Sequence, residues 1–264
     1  GADDWSGQLT TTAFFVELGI PIADMWEINL AGRYEDFDEI GEDTVDPKIT
    51  VLFQPLDSLT LRASAGSSFK VPSLLQTFGS LTTVANQVDL VGGTTFKPSI
   101  TQGNPNLQPE SADTVNIGVS WIPTEGVLDG LSVDLDIYDI QYDDIITRES
   151  SPNLLSADND AIQEWVLANV PWATCTASNC PQAFQAVNAG VGNRRQIIRN
   201  DSGILLRILP DFANANGADV RGLDLDSSYR FDTSWGNWRV GVQAAWIETY
   251  EVEVRNSSGG VTVH

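Results

Sequence analysis

The chain has 264 residues, 42% of them hydrophobic, which is long enough to bury a sizeable core. Its 36 acidic against 14 basic side chains leave a net charge of −22. That charge repels phosphate, so it argues against nucleic acid and against a basic membrane-surface protein; it leaves an acidic soluble domain open. No run of about 18 apolar residues exists to form a membrane-spanning helix, but strands that cross a membrane show only alternation and escape that test. The chain opens at Gly1 without Met, basic stretch or signal-peptide core, as a mature protein or a fragment would.

Strands are expected, in chain order, near 8–18, 25–37, 44–54, 58–66, 111–122, 130–147, part of 203–230, and 237–250. The pattern behind them is period two. Trp26, Ile28, Leu30 and Tyr34 share a parity against Glu27, Asn29 and Arg33. Ile49, Val51 and Phe53 oppose Lys48 and Thr50, and Leu59, Leu61, Ala63 and Ala65 oppose Thr60, Arg62 and Ser64. Val115, Ile117, Val119 and Trp121 oppose Thr114, Asn116 and Ser120, and Leu131, Val133, Leu135 and Ile137 oppose Ser132, Asp134 and Asp136. Trp238, Val240, Val242, Ala244 and Trp246 oppose Arg239, Gly241 and Gln243. Side chains alternate across a strand, so each segment has one apolar and one polar face. After Ile137 the apolar parity moves to Tyr138, Ile140 and Tyr142, which a bulge would explain, as would a strand leaving the lipid.

Both a soluble sandwich, with apolar faces inward, and a membrane barrel, with apolar faces outward, need that alternation. Length favours the barrel: a lipid-spanning strand needs about 9–11 residues, against about 5–6 for a soluble one. Aromatic residues also gather toward segment ends, where girdles belong. The connections point the same way. Short turns are expected at 19–24, 55–58, 123–130 and 232–237, while 70–110 and 150–217 are long and irregular. Compact soluble domains rarely hold loops above about 12–15 residues, whereas outer-membrane barrels pair short periplasmic turns with long outer loops. A short helix is expected inside the second loop over 160–169, with Ile162, Trp165, Val166 and Leu167 on its apolar side.

The runs Asp-Pro-Lys-Ile-Thr-Val-Leu-Phe-Gln-Pro at 46–55, Leu-Thr-Leu-Arg-Ala-Ser-Ala-Gly-Ser-Ser-Phe-Lys-Val-Pro-Ser at 59–73 and Gly-Asn-Pro-Asn-Leu-Gln-Pro-Glu at 103–110 carry a resemblance, together with Val-Arg-Gly-Leu-Asp-Leu-Asp at 220–226. Each is degenerate alone, but in this order and spacing they resemble the barrel of TonB-dependent outer-membrane receptors. The resemblance implies an all-β, antiparallel transmembrane barrel, of which residues 1–264 supply roughly eight strands out of about 22, with extracellular loops at 70–110 and 150–217. It implies a Gram-negative outer membrane and TonB-energised uptake of a scarce solute such as a ferric siderophore, cobalamin or an oligosaccharide. The partners implied are the lipid bilayer, the solute (an iron chelate being one choice) and the TonB complex acting through a plug. No plug motif or TonB box is found, so the chain reads as a middle-to-late barrel portion.

Candidate residues follow. Phe69, Pro72 and Ser73 mark entry into the first loop, where Pro72 stops a ladder. Asn104, Pro105, Asn106, Pro109 and Glu110 form a turn that steers the chain into the next strand, and Glu110 is a candidate partner for Arg62 or another inward base. Arg194, Arg195 and Arg199 are the main basic cluster, placed to attract an anionic solute or to pair with Asp201 or Asp211. Cys175 and Cys180 suit a local disulfide in an oxidising envelope, free thiols being the other reading; their spacing and the solitary His264 argue against a metal. No cofactor is called for. Catalytic signatures are absent, and paired carboxylates such as Asp134/Asp136 suit a polar wall. The remaining alternatives are an acidic all-β soluble module that binds or cleaves carbohydrate, and a closed eight-stranded barrel whose first and last strands pair.

Overall fold

The computed structural model describes residues 6–176, 179–192, 195–255 and 261–263. The chain runs through β1 (Thr11–Ala23), β2 (Trp26–Phe37), β3 (Glu42–Leu56), β4 (Leu59–Lys70), α1 (Leu74–Phe78), β5 (Ser80–Asp89), β6 (Gly93–Gln102), β7 (Glu110–Trp121), β8 (Leu131–Arg148), α2 (Ser151–Asn169), α3 (Ala183–Asn188), β9 (Ile197–Arg199), β10 (Leu205–Ile208), β11 (Phe212–Thr233), β12 (Gly236–Arg255) and β13 (Val261–Val263).

Nine strands form one sheet in the order β1-β2-β3-β4-β7-β8-β11-β12-β13, every neighbouring pair antiparallel. The register carries each parity across the ladder. Ile28 faces Val51, Val51 faces Ala63, Ala63 faces Ile117, Ile117 faces Ile137 and Ile137 faces Leu223, so one face is a continuous apolar band. One residue along, Arg62, Gly118, Asp136 and Asp224 line up on the opposite face. The apolar band is exposed, with Ile117 at 57% and Val242 at 60%, the reverse of a soluble sheet packing its apolar face inward. The clusters of buried apolar side chains lie elsewhere, at one end of the sheet.

That end is set by the connections. β1–β2, β3–β4, β7–β8 and β11–β12 are joined by short turns at the opposite end, the third containing a 3₁₀ turn at Gly126–Leu128. The β4–β7 and β8–β11 connections are long and emerge together, here called the loop end. The β2–β3 connection at this end is short, occupying residues 38–41.

Several expectations need correction. The first turn lies at Asp24 and Met25, because β1 continues to Ala23. The two long connections are not irregular. The first holds α1 and the hairpin β5–β6, and the second holds α2, α3, β9 and β10; β5, β6, β10 and β9 make a separate four-stranded sheet, in that order. It includes one parallel contact, Ile208 with Ser99, between β10 and β6. The strand expected in part of 203–230 is β11, and the separate short strand β10 precedes it. The short helix is longer, because Ser151 and Pro152 begin α2 about three turns before the apolar side expected from Ile162 onward. No bulge accompanies the parity change after Ile137, since β8 keeps register with β7 from Val133 to Asp143. The break comes at Asp143 and Asp144, where β11 skips register and Asp144 takes φ 55. Among the described residues β1 pairs with β2 alone, so its pairing with a last strand, required by the closed eight-stranded barrel, is not found.

Candidate functional site

At the loop end the two long connections fold into one body. The β5–β6 hairpin turns on Gly92 (φ 101) and Gly93 (φ 74), a backbone region in which a β-carbon is strained. The Asn159 side chain of α2 grips this turn, its amide donating to the Val88 carbonyl at 2.9 Å and its oxygen accepting from the Leu90 amide at 3.1 Å. Val91 of the turn packs into a buried cluster with Ile162, Val166 and Val187 from the second connection. At the base, the Asn104 side chain donates to the Phe212 carbonyl (2.9 Å), and Gln108 and Asn214 exchange two hydrogen bonds of 2.8 Å.

The candidate basic residues separate. Arg199 is buried, its side chain 9% exposed, and forks onto both oxygens of Asp89 at 2.7 and 2.8 Å while reaching Asp158 at 2.6 Å. Burial opposes its charge, but the bonds to the two carboxylates outweigh that and raise its pKa above the usual guanidinium value. Arg195 is 73% exposed and pairs with Asp211 at 2.7 Å. Arg194 lies outside the described residues. Asp89, Asp158 and Asn159 were not among the sequence candidates. The signal was present for one of them: Leu155, Asp158, Ile162 and Val166 fall on one helical stripe, and a carboxylate on a buried stripe needs a cationic partner.

The loop-entry residues sit where β4 leaves the sheet. Phe69 meets Phe37 edge to face at 5.7 Å. Pro72 is fully buried, and Ser73 caps α1, its hydroxyl accepting from the Gln76 amide at 3.3 Å while the Gln76 side chain accepts from the Ser73 amide at 2.8 Å. In the second motif the Asn104 side chain accepts from the Asn106 amide at 3.0 Å, with exposed Pro105 between them. Half-buried Pro109 leads into β7. Glu110 does not pair with Arg62: it bonds Lys70 at 2.8 Å and accepts from the Ile146 amide at 2.8 Å, closing the foot of the first loop. Cys175 and Cys180 form a disulfide with α-carbons 4.1 Å apart, and Cys180 is buried beside Val166 and Ala183.

Below the loop body, Arg62 pairs with Asp136, Nε to Oδ1 at 3.1 Å, and lies 3.7 Å from Asp134. On the apolar face the band stops at the row Val115–Asp139–Arg221, where Arg221 donates to Asp139 at 2.8 and 2.5 Å.

The model of the family described as "TonB dependent receptor-like, beta-barrel" matches residues 1–263. The chain belongs to this family. Its fold is also that of solved siderophore-receptor structures. The siderophore receptor PirA from Acinetobacter baumannii aligns with TM-score 0.55 and 14% identity over 93% of this chain and 30% of its own. The ferric enterobactin receptor PfeA from Pseudomonas aeruginosa, in complex with BCV-L6, aligns with TM-score 0.57 and 15% identity over 93% of this chain and 30% of its own. The siderophore receptor PirA from Pseudomonas aeruginosa gives 0.55 and 15%, over 93% and 36%. This TonB-dependent receptor chain therefore spans about a third of the length of the solved structures it matches. No curated protein matches it. The family places it in the outer membrane of a Gram-negative bacterium, and the exposed apolar band is the surface such a location demands.

Proposed function

We propose that this chain is part of the wall and of the outer vestibule of a receptor for TonB-energised uptake of a scarce solute, a ferric siderophore first among the choices. In this reading the nine-stranded sheet continues into a closed barrel of about 22 strands, the apolar band faces lipid and the Arg62 side faces the lumen. The loop end is extracellular, and residues 70–110 and 150–217 are the outer loops. A plug elsewhere in the full receptor blocks the lumen and takes the pull of the TonB complex. The role is transport, not catalysis.

The observation that carries this is the coincidence of two polarities. Across the sheet, one face is apolar and exposed while the other holds ion-paired carboxylates. Along the strands, short turns gather at one end and a folded loop body at the other. A soluble carbohydrate-binding or glycoside-cleaving module has no use for the first. Two of the matched structures are siderophore receptors, and they suggest the solute class.

Within the loop body, Arg195 is the sequence candidate that is exposed to an anionic solute. Arg199 contributes by holding the body's shape. The test is growth of an iron-limited strain that depends on the full-length receptor. Arg195→Glu is expected to weaken solute binding about tenfold while leaving receptor abundance unchanged, since an exposed pair such as Arg195–Asp211 contributes about 1 kcal/mol or less to stability. Unchanged uptake and binding across a panel of ferric siderophores would remove Arg195 from the site.

A further inference from the structure

The strongest polar contact in the loop body crosses between connections that are far apart in sequence. Arg199 and Asp158 come from the second, Asp89 from the first, and all three side chains are at least nine-tenths buried. The guanidinium spends two nitrogens on Asp89, one of them also on the Gly203 carbonyl at 3.0 Å, and the fork continues to Asp158. A buried charge that loses its partner is far costlier than a whole pair replaced by apolar groups. Withdrawal of the hairpin takes both Asp89 oxygens from the buried guanidinium and leaves Arg199 with one carboxylate fewer. Apolar and neutral contacts span the same seam, with Val91 in the Ile162–Val166 cluster and the Ser99 and Ser151 hydroxyls 2.5 Å apart.

We infer that the two long connections are one cooperative unit, with Arg199 as the positioning residue that joins them, so that they order and open together. The consequence for capture rests on the outer-vestibule reading above. A solute touching either connection then acts on both, and the vestibule opens by moving the whole body on the foot formed by Lys70–Glu110 and Asn104–Phe212. The unit itself is independent of that reading.

The experiment is hydrogen–deuterium exchange on the full-length receptor in detergent with no solute present, so that failure to find a transported compound does not bear on it. In Arg199→Met, the protected amides of β5 and β6 are expected to exchange faster by the same factor as those of α2, about a hundredfold or more. Acceleration confined to 151–208, or to neither connection, overturns the inference. Linking the seam by Ser99→Cys with Ser151→Cys in the Arg199→Met background is expected to restore slow exchange to both connections, and reductant to abolish it. Restoration in one alone counts against a shared unit. If Arg199→Met does not insert, Asn159→Ala removes the grip on the hairpin turn without stranding charge. It is expected to speed both connections about tenfold, and an effect limited to 80–102 overturns the inference.

Discussion

The guanidinium of Arg62 on β4 reaches the carboxylate of Asp136 on β8 across an intervening strand, over Gly118 of β7. Glycine is what permits the crossing: a β-carbon at 118 would collide with Asp136 Oδ1 and Arg62 Nε. Asp134 lies beside the pair, and Asp224 and Asp226 face Asp136 and Asp134 from β11. One cation thus tempers a ladder of carboxylates that repel one another.

A double-mutant cycle on Arg62→Met and Asp136→Asn is expected to give a coupling of about 1 kcal/mol, since both side chains are about a third exposed and water screens the pair. In a Gly118→Val background the coupling is expected to fall to near zero. The readout is unfolding of the refolded receptor in denaturant. A coupling that survives Gly118→Val would mean that the pair does not depend on the path over residue 118.

The two faces predict opposite responses to lipid. Cysteines at 133, 135, 117 and 242 are expected to react with a lipid-phase probe in the full receptor, and those at 134 and 136 to be silent. The register puts the first set on the apolar band and the second beside Arg62. Ile117→Arg is expected to cost about 2–4 kcal/mol, the cost of a guanidinium near the bilayer midplane. Reaction at 134 and 136 in place of 133 and 135 would invert the sheet.

Much of this sheet was legible in the sequence because one face of every long strand is apolar and period two survives side-chain noise. The hairpin β5–β6 was not. Its buried face carries Gln87, Asp89, Ser99 and Thr101, while Val84, Val88 and Phe96 are exposed, so hydrophobicity pointed away from the packing. Asn159 of α2 was hidden for a related reason: it looks like a solvent-facing residue until its partner, the β5–β6 turn, arrives from elsewhere in the chain. Arg199 was legible as a charge, but its partner Asp89 is 110 residues away and no local pattern reports that distance. The apparent bulge after Ile137 was a change of environment: the strand holds register while its apolar-side residues become Asp139 and Gln141.

The Cys175–Cys180 bond closes a ring so short that its constraint on the unfolded chain is worth roughly 2 kcal/mol in the chain-entropy account. Replacing both by Ala is expected to leave the receptor inserted and the sheet unaffected. Exchange should rise locally around α3 and the end of α2, where Cys180 is buried with Val166 and Ala183. Non-reducing mass spectrometry of receptor purified from outer membranes is expected to show the bond closed. Two free thiols there would contradict it.

The orientation of the wall is testable at its two ends. The β7–β8 connection is short, so β8 runs from the turn end to the loop end, and α2 follows immediately at Ser151. Both long connections, the β2–β3 turn and the buried apolar clusters share that end. In outer-membrane barrels long loops stand outside and short turns in the periplasm, where thiols are oxidised before insertion. A protease added to intact cells is therefore expected to cut only at the loop end, and slowly within the loop body, because that backbone is held in helices, a sheet and buried ion pairs. Arg199→Met should raise cleavage in 80–102 and 151–208 alike without permeabilising the membrane, while sites in the β3–β4 and β11–β12 turns stay resistant until the outer membrane is breached. Cleavage of those turns on intact cells, with the loop body protected, would place the loop end in the periplasm and reverse the topology.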